Sequence, residues 1–460
     1  MLRGGPDKAV SRLIDRAVNA LLTRPWLDDA ALKLITRWYF PISRAWATAL
    51  AADGDREAFL SVLPCRPVSQ RLLPRALAAV YARKCALEDV QRRWEEAFFS
   101  TGPAMAAMEA DRVAAAQTLM RVRSAFLPMH SLEPFPAVAW DIEAPHSVCD
   151  RHATRLAPSM AFRAAPQLDK IEASRGFRGT HGVQGWIRFP SPVRDVGGTA
   201  WARVAAPIGN AAPVRTSHMP SMIFCHGIGM EPEFWKDQRL ALHSFVDAGI
   251  RVIRPEAPWH GRRRAEGSYG GEPIFARGPG GLLDYFHAAV REIGTMIAWA
   301  RATRGGPVAL AGVSLGALTA QLVATAATQW PSSMQPDALF LIAPSISITR
   351  VTFEGSLTRS LGVPAAVLGA GWTPPAIEQW RSLLEPVGPP VLEGDRIVVV
   401  LGETDDVTLA EGGENLVDTW RVPATNVFRL PAGHFTTALA FMRDGPAGRR
   451  FRSLMTRLGA

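Results

Sequence analysis

Val308-Ala309-Leu310-Ala311-Gly312-Val313-Ser314-Leu315-Gly316 is the stretch from which the fold is read. Its first four residues form a short apolar run of the kind buried in a sheet, and Leu315 to Gln329 shows the apolar spacing of a helix. A strand therefore passes into a helix through Gly312 to Gly316. Glycine two residues either side of Ser314 removes side chains that would block a tight turn. This predicts a strained serine whose hydroxyl is lifted clear of the sheet. The first free amides of the helix, beginning with Leu315, then point at whatever the hydroxyl attacks.

Outward from this turn, short apolar runs alternate with helical patterns, which predicts βαβ crossovers and a mostly parallel sheet. Strands are expected at Ser221 to Cys225, Ile250 to Arg254, Val308 to Ala311, Ala338 to Ile342, Ile397 to Leu401 and Asn426 to Leu430. The helices between them are expected near Glu233 to Val246, Gly281 to Arg304, Leu315 to Gln329 and Gly413 to Trp420. Residues 346–390, rich in Pro and Trp, interrupt the alternation. Upstream, Val183 to Phe189 and Thr199 to Val204 read as antiparallel strands opening the sheet. Three divisions follow: a helical region 1–136, a linker with leading strands 137–220, and an α/β core 221–460.

A serine is hardly ionised at neutral pH and needs a neutral imidazole to take its proton. Leu430-Pro431-Ala432-Gly433-His434 ends the last apolar run, which makes His434 the candidate base. A carboxylate must fix the tautomer of that histidine, and Gly402-Glu403-Thr404-Asp405-Asp406 follows the preceding strand. Asp405 is the expected acid, Asp406 stands as its alternative, and Glu403 is the remote third. A second oxyanion donor is expected from Cys225-His226-Gly227-Ile228-Gly229, where Gly227 and Gly229 let the Ile228 amide approach. His226 precedes the nucleophile strand and is expected to hold that loop. Gly312 and Gly316 shape the serine turn.

Taken together, the His226 to Gly229, Gly312 to Gly316, Gly402 to Asp405 and Gly433-His434 motifs resemble the α/β-hydrolase superfamily, from about Ser221 onward. Pro255-Glu256-Ala257-Pro258-Trp259-His260-Gly261-Arg262 resembles that superfamily's D-x-P-G-H-G-x-S turn, with Glu256 for Asp and Trp259 for Gly, and suggests a divergent abhydrolase-domain branch. The resemblance implies a central, mostly parallel sheet with flanking helices, a lid at 346–390, and hydrolysis through an acyl-serine intermediate. The expected substrate is a small molecule with a carboxylic ester, possible lipid character coming from the apolar lid. Thioesterase, acyltransferase and catalytically silent scaffold are the alternatives. A serine nucleophile needs no cofactor, and serine in place of aspartate at the turn argues against carboxylate attack.

Composition bounds the rest. The 460 residues are 48% hydrophobic and 20% charged, an ordinary globular balance, with a formal net charge of +9. The arginines are scattered rather than gathered in one block, which argues against a nucleic-acid partner and leaves peripheral contact with an anionic membrane open. Arg262 and Arg263 would stand at the pocket mouth, as contacts for an anionic head group or as solvated loop side chains. Val10, Leu13, Ile14, Val18 and Leu21 form an amphipathic stripe, and Leu72 to Ala97 and Ala104 to Phe126 read as further helices. Four cysteines make no disulfide framework, and the start lacks the apolar run of an export signal, so the expected setting is cytoplasmic. His146, Cys149 and His152 lie close enough in sequence to suggest metal ligands, but no second cluster accompanies them and no metal is expected. The oligomeric state is left open.

Overall fold

The computed structural model describes residues 25–100, 106–193, 196–208, 218–231, 233, 236–441 and 445–459. The amphipathic stripe from Val10 to Leu21 lies outside them.

Among the described residues ten strands form one sheet: β1 (Glu172–Ala173), β2 (Phe177–Gly179), β3 (Gly182–Pro190), β4 (Thr199–Ala206), β5 (Met219–Cys225), β6 (Arg251–Glu256), β7 (Gly305–Val313), β8 (Ala338–Ile342), β9 (Ile397–Gly402) and β10 (Val427–Leu430). Their order is β1-β3-β4-β6-β5-β7-β8-β9-β10, with β2 paired to β3. β5 to β10 run parallel, and the earlier strands join antiparallel through β3, β4 and β6. The expected parallel strands lie within a few residues of these bounds. β1 and β2 are additions too short to leave a pattern in the sequence.

Alternation along the strands assigns side chains to two cores. Ile223 and Cys225 of β5, with Val308 and Leu310 of β7, face one cluster; Met222 and Phe224, with Ala309, Ala311 and Val313, face the other. Helices Gly278–Arg304 and Leu315–Ala326 cover the first face, and helices Lys236–Asp247 and Pro446–Gly459 the second. Burial pushes the Cys225 thiol up to about 12, as a small apolar packing group.

The described N-terminal region is helical, in Pro25–Leu34, Phe40–Ala51, Leu73–Phe99 and Ala106–Arg121, with a π turn at Ile35–Tyr39 between the first two. Phe40, Trp46, Phe59 and Phe126 are buried in the same cluster as the first face of the sheet, so this region shares the core of the sheet. Trp94 and Phe98 instead meet Phe177, Trp186 and Trp201 in a separate aromatic cluster over the leading strands.

The arginine expectation is corrected here. The Arg262 guanidinium lies 4.3 Å from the Trp186 ring centre and 4.8 Å from that of Trp201, with its charge against Glu256. Arg263 is buried and grips Glu292 with two bonds of 2.7 and 2.8 Å. Carboxylates placed inside the fold turn both side chains away from the pocket, so neither is available to a substrate head group.

Among the described residues no helix is long and apolar enough to cross a membrane. His146, Cys149 and His152 do not converge, because His152 turns to Asp284 at 3.0 Å while His146 stays exposed.

Candidate active site

Strand register gathers the motifs. Cys225 pairs with Gly312, Val313 with Ile342, Ile342 with Val400, and Gly402 with Leu430. The loops leaving β5, β7, β9 and β10 therefore emerge along one edge, at the carboxyl ends of the parallel strands, where open α/β sheets build their sites.

Ser314 stands between β7 and the helix that follows, at φ 55° and ψ −122°, and its amide donates to the Ile342 carbonyl at 3.0 Å. The flanking glycines are dictated by close approach. A Cβ on Gly316 would stand 2.1 Å from the Cys225 carbonyl oxygen, and one on Gly312 would stand 2.2 Å from the Gly316 carbonyl oxygen. Trp259, Ala343 and Leu409 also hold positive φ, at 61°, 47° and 66°, so backbone strain gathers around the same edge.

His434 Nε2 lies 3.0 Å from Ser314 Oγ, and His434 Nδ1 lies 2.8 Å from Asp405 Oδ2. Asp405 also accepts from the amides of Val407 and Thr408, each at 2.9 Å, and from Thr408 Oγ1 at 2.8 Å. Burial pushes the Asp405 carboxyl up, but the His434 charge and these hydrogen bonds outweigh it and hold the pKa below the ordinary carboxylate value. Asp406 points elsewhere: it accepts from Ser356 Oγ at 2.9 Å and pins the 346–390 segment. Glu403 is exposed. The adjacent carboxylates are separated by burial, which their sequence neighbours do not reveal.

On the other side of Ser314, a Cβ on Gly227 would lie 3.5 Å from Ser314 Cβ, so the β5 loop passes directly over this serine. Ile228 and Leu315 line one cavity with Ser314. Leu315 begins its helix, where the first amides have no intrahelical acceptor. His226 Nδ1 donates to the Gly227 carbonyl at 2.9 Å and Nε2 accepts from Ala257 N at 3.2 Å. His260 Nδ1 donates to the Pro258 carbonyl at 2.9 Å and Nε2 accepts from Gly229 N at 3.2 Å. Burial holds both rings below the ordinary imidazole value, so each serves as a neutral brace between the two loops. His260 and Thr408 had no role in the sequence reading; His260 sat in a recognisable turn, while nothing marked Thr408.

The cavity beside Ser314 is about 80 Å³. Ile274, Phe275 and Leu282 form one wall, and Ile348, Val351 and Val367, from the short helices of the 346–390 segment, form another. Its polar groups are serine and threonine hydroxyls, and no charged side chain lines it among the described residues.

The profile of the alpha/beta hydrolase family matches residues 222–454, half of the sequence. The chain belongs to the alpha/beta hydrolase family. Solved structures of similar fold include a cold-adapted esterase from an Arctic intertidal metagenomic library, 13% identical, covering 62% of this chain and 96% of that one, with a TM-score of 0.38. Another is XC6422 from Xanthomonas campestris, described as an α/β serine hydrolase without lid: 17% identical, covering 60% of this chain and 96% of that one, TM-score 0.35. An acylaminoacyl peptidase from Pyrococcus horikoshii is 12% identical, covering 63% of this hydrolase and 41% of the peptidase, TM-score 0.39. No curated protein matches the sequence.

Proposed function

We propose that this hydrolase is a serine carboxylesterase that transfers an apolar acyl group to Ser314 and releases it to water. In this reading His434 takes the Ser314 proton as the hydroxyl attacks the ester carbonyl, and returns it to the departing alkoxide. Asp405 fixes the tautomer and balances the imidazolium, while the Leu315 and Ile228 amides receive the oxyanion. A water deprotonated by His434 then attacks the acyl-serine. The observation that supports this most directly is the hydrogen-bonded chain from Ser314 through His434 to Asp405, opening on a cavity without charged lining. A desolvated anionic chain would find no partner there.

The test is labelling with a fluorescent fluorophosphonate, followed by hydrolysis of paired esters. The native chain is expected to label, with labelling lost in Ser314→Ala, and to hydrolyse p-nitrophenyl butyrate much faster than the p-nitrophenyl hemisuccinate. Absence of labelling in a folded native chain sinks the serine mechanism; preference for the hemisuccinate sinks the apolar acyl site.

The pH profile has a defined sign. Burial pushes the His434 ring down, but Asp405 more than offsets it, with Asp28 and Asp406 adding to the pull, and the pKa stands above the ordinary 6.5. The base must be neutral to act. The kcat/KM is therefore expected to fall as pH is lowered, with its midpoint above 6.5. An acid limb centred below 6.5 contradicts this balance of charges.

A further inference from the structure

Asp28 belongs to none of the motifs and precedes the family match, yet its buried carboxylate reaches the segment that carries the base. Asp28 Oδ1 accepts from the Phe435 amide at 2.7 Å and the Thr436 amide at 3.2 Å. Asp28 Oδ2 accepts from the Gly433 amide at 3.3 Å and from Thr436 Oγ1. The fit is close enough to exclude a side chain opposite: a Cβ on Gly433 would stand 2.5 Å from Asp28 Cγ. The glycine before the base is thus explained by a residue from the N-terminal helix Pro25–Leu34.

The contact answers a specific difficulty. His434 is the first residue of helix His434–Phe441, whose leading amides lack intrahelical acceptors and whose positive end disfavours an imidazolium. An aspartate that accepts from those amides supplies the missing cap and the opposite charge together. The next N-terminal residues brace the other half of the site: Tyr39 Oη lies 3.5 Å from the Gly229 carbonyl oxygen, and Phe40 packs beneath Gly229.

We propose that Asp28 is a positioning residue for the Ser314 reaction, a carboxylate from the N-terminal helical region that caps the His434 helix and holds the imidazole in line between Asp405 and Ser314. The proposal rests on the serine-esterase reading for its kinetic consequence, though not for its electrostatic one. Among the described residues, the charges that act on His434 are those of Asp405, bonded to its ring, Asp406, turned to Ser356 on the same β9 loop, and Asp28 on the N-terminal helix. Removing the charge of Asp28 lowers the pH at which the imidazolium loses its proton.

The experiment compares Asp28→Ala and Asp28→Asn in the full chain. It reads kcat and KM for p-nitrophenyl butyrate, and the His434 ring titration by NMR. Asp28→Ala is expected to lose on the order of 10²-fold in kcat, the scale of an ångström-sized misplacement, with KM within about threefold. Asp28→Asn keeps an acceptor oxygen and is expected to retain most of kcat, while its acid limb and the His434 titration move to lower pH. A folded Asp28→Ala with kcat within about twofold of native, or an Asp28→Asn titration that does not move, overturns the proposal. If Asp28→Ala fails to fold, the Asp28→Asn titration decides alone. Should the native chain hydrolyse no ester, a downward shift in Asp28→Asn upholds the role of Asp28 while the esterase reading falls.

Discussion

Asp405→Asn is expected to lower kcat by about 10⁴-fold, and Asp406→Asn to leave it within about threefold. The two carboxylates are neighbours in sequence, but Asp405 alone is buried against the His434 ring, at 2.8 Å from Nδ1. An asparagine there can present its NH₂ to Nδ1 and stabilise the tautomer that carries its proton on Nε2, facing Ser314 with a donor instead of an acceptor. It also leaves the imidazolium, on a buried ring, without its counter-charge. Asp406→Asn keeps an oxygen able to accept from Ser356 and touches neither ring nitrogen. Steady-state kinetics at a pH well above the acid limb separates the two, and a larger loss from Asp406→Asn would reverse the assignment.

The second large effect is on stability. Glu292→Ala is expected to cost about 3–5 kcal/mol, because it strands the Arg263 guanidinium in the interior. Against a typical net stability of about 5–15 kcal/mol, that is a major fraction of the whole. The pair is almost wholly buried, with side-chain exposures of 1% for Arg263 and 3% for Glu292. Solvent therefore does little to screen the loss. Glu292 also accepts from Ser191 Oγ at 2.5 Å, so a second polar group loses an acceptor. The double variant Arg263→Leu/Glu292→Met removes both charges and is expected to recover much of the loss, since two apolar groups of similar size leave no buried charge unpaired. Urea denaturation of the three variants tests this, and a single-variant cost under about 1 kcal/mol contradicts it.

The same pair marks where reading the sequence stops being enough. The strands were legible because apolar runs bounded by turns are local, and the candidate Ser314, His434 and Asp405 because each closes such a run at one edge. Arg262 and Arg263 were misplaced because a run of arginines in a loop carries no record of Glu256 or Glu292, which only folding brings near. Asp405 was preferred and Asp406 kept as its alternative, because the feature that sets them apart is burial rather than spacing. Trp259 stands at φ 61° where a glycine is the expected residue, and only the surrounding packing accounts for it: the ring is buried, with Arg277 5.5 Å from its centre. Asp28 was invisible for the simplest reason, a separation of 405 positions from Gly433.

That separation also orders events on the ribosome. Helix Pro25–Leu34 is made before the Ser314 turn and His434 later still, so for the 120 residues between them a nascent chain would carry the proposed nucleophile without its proposed base. On the proposed mechanism such an unfinished polypeptide would be chemically quiet: Ser314 would gain its activating partner only when the segment around His434 arrives and closes on an aspartate made 405 positions ahead of Gly433.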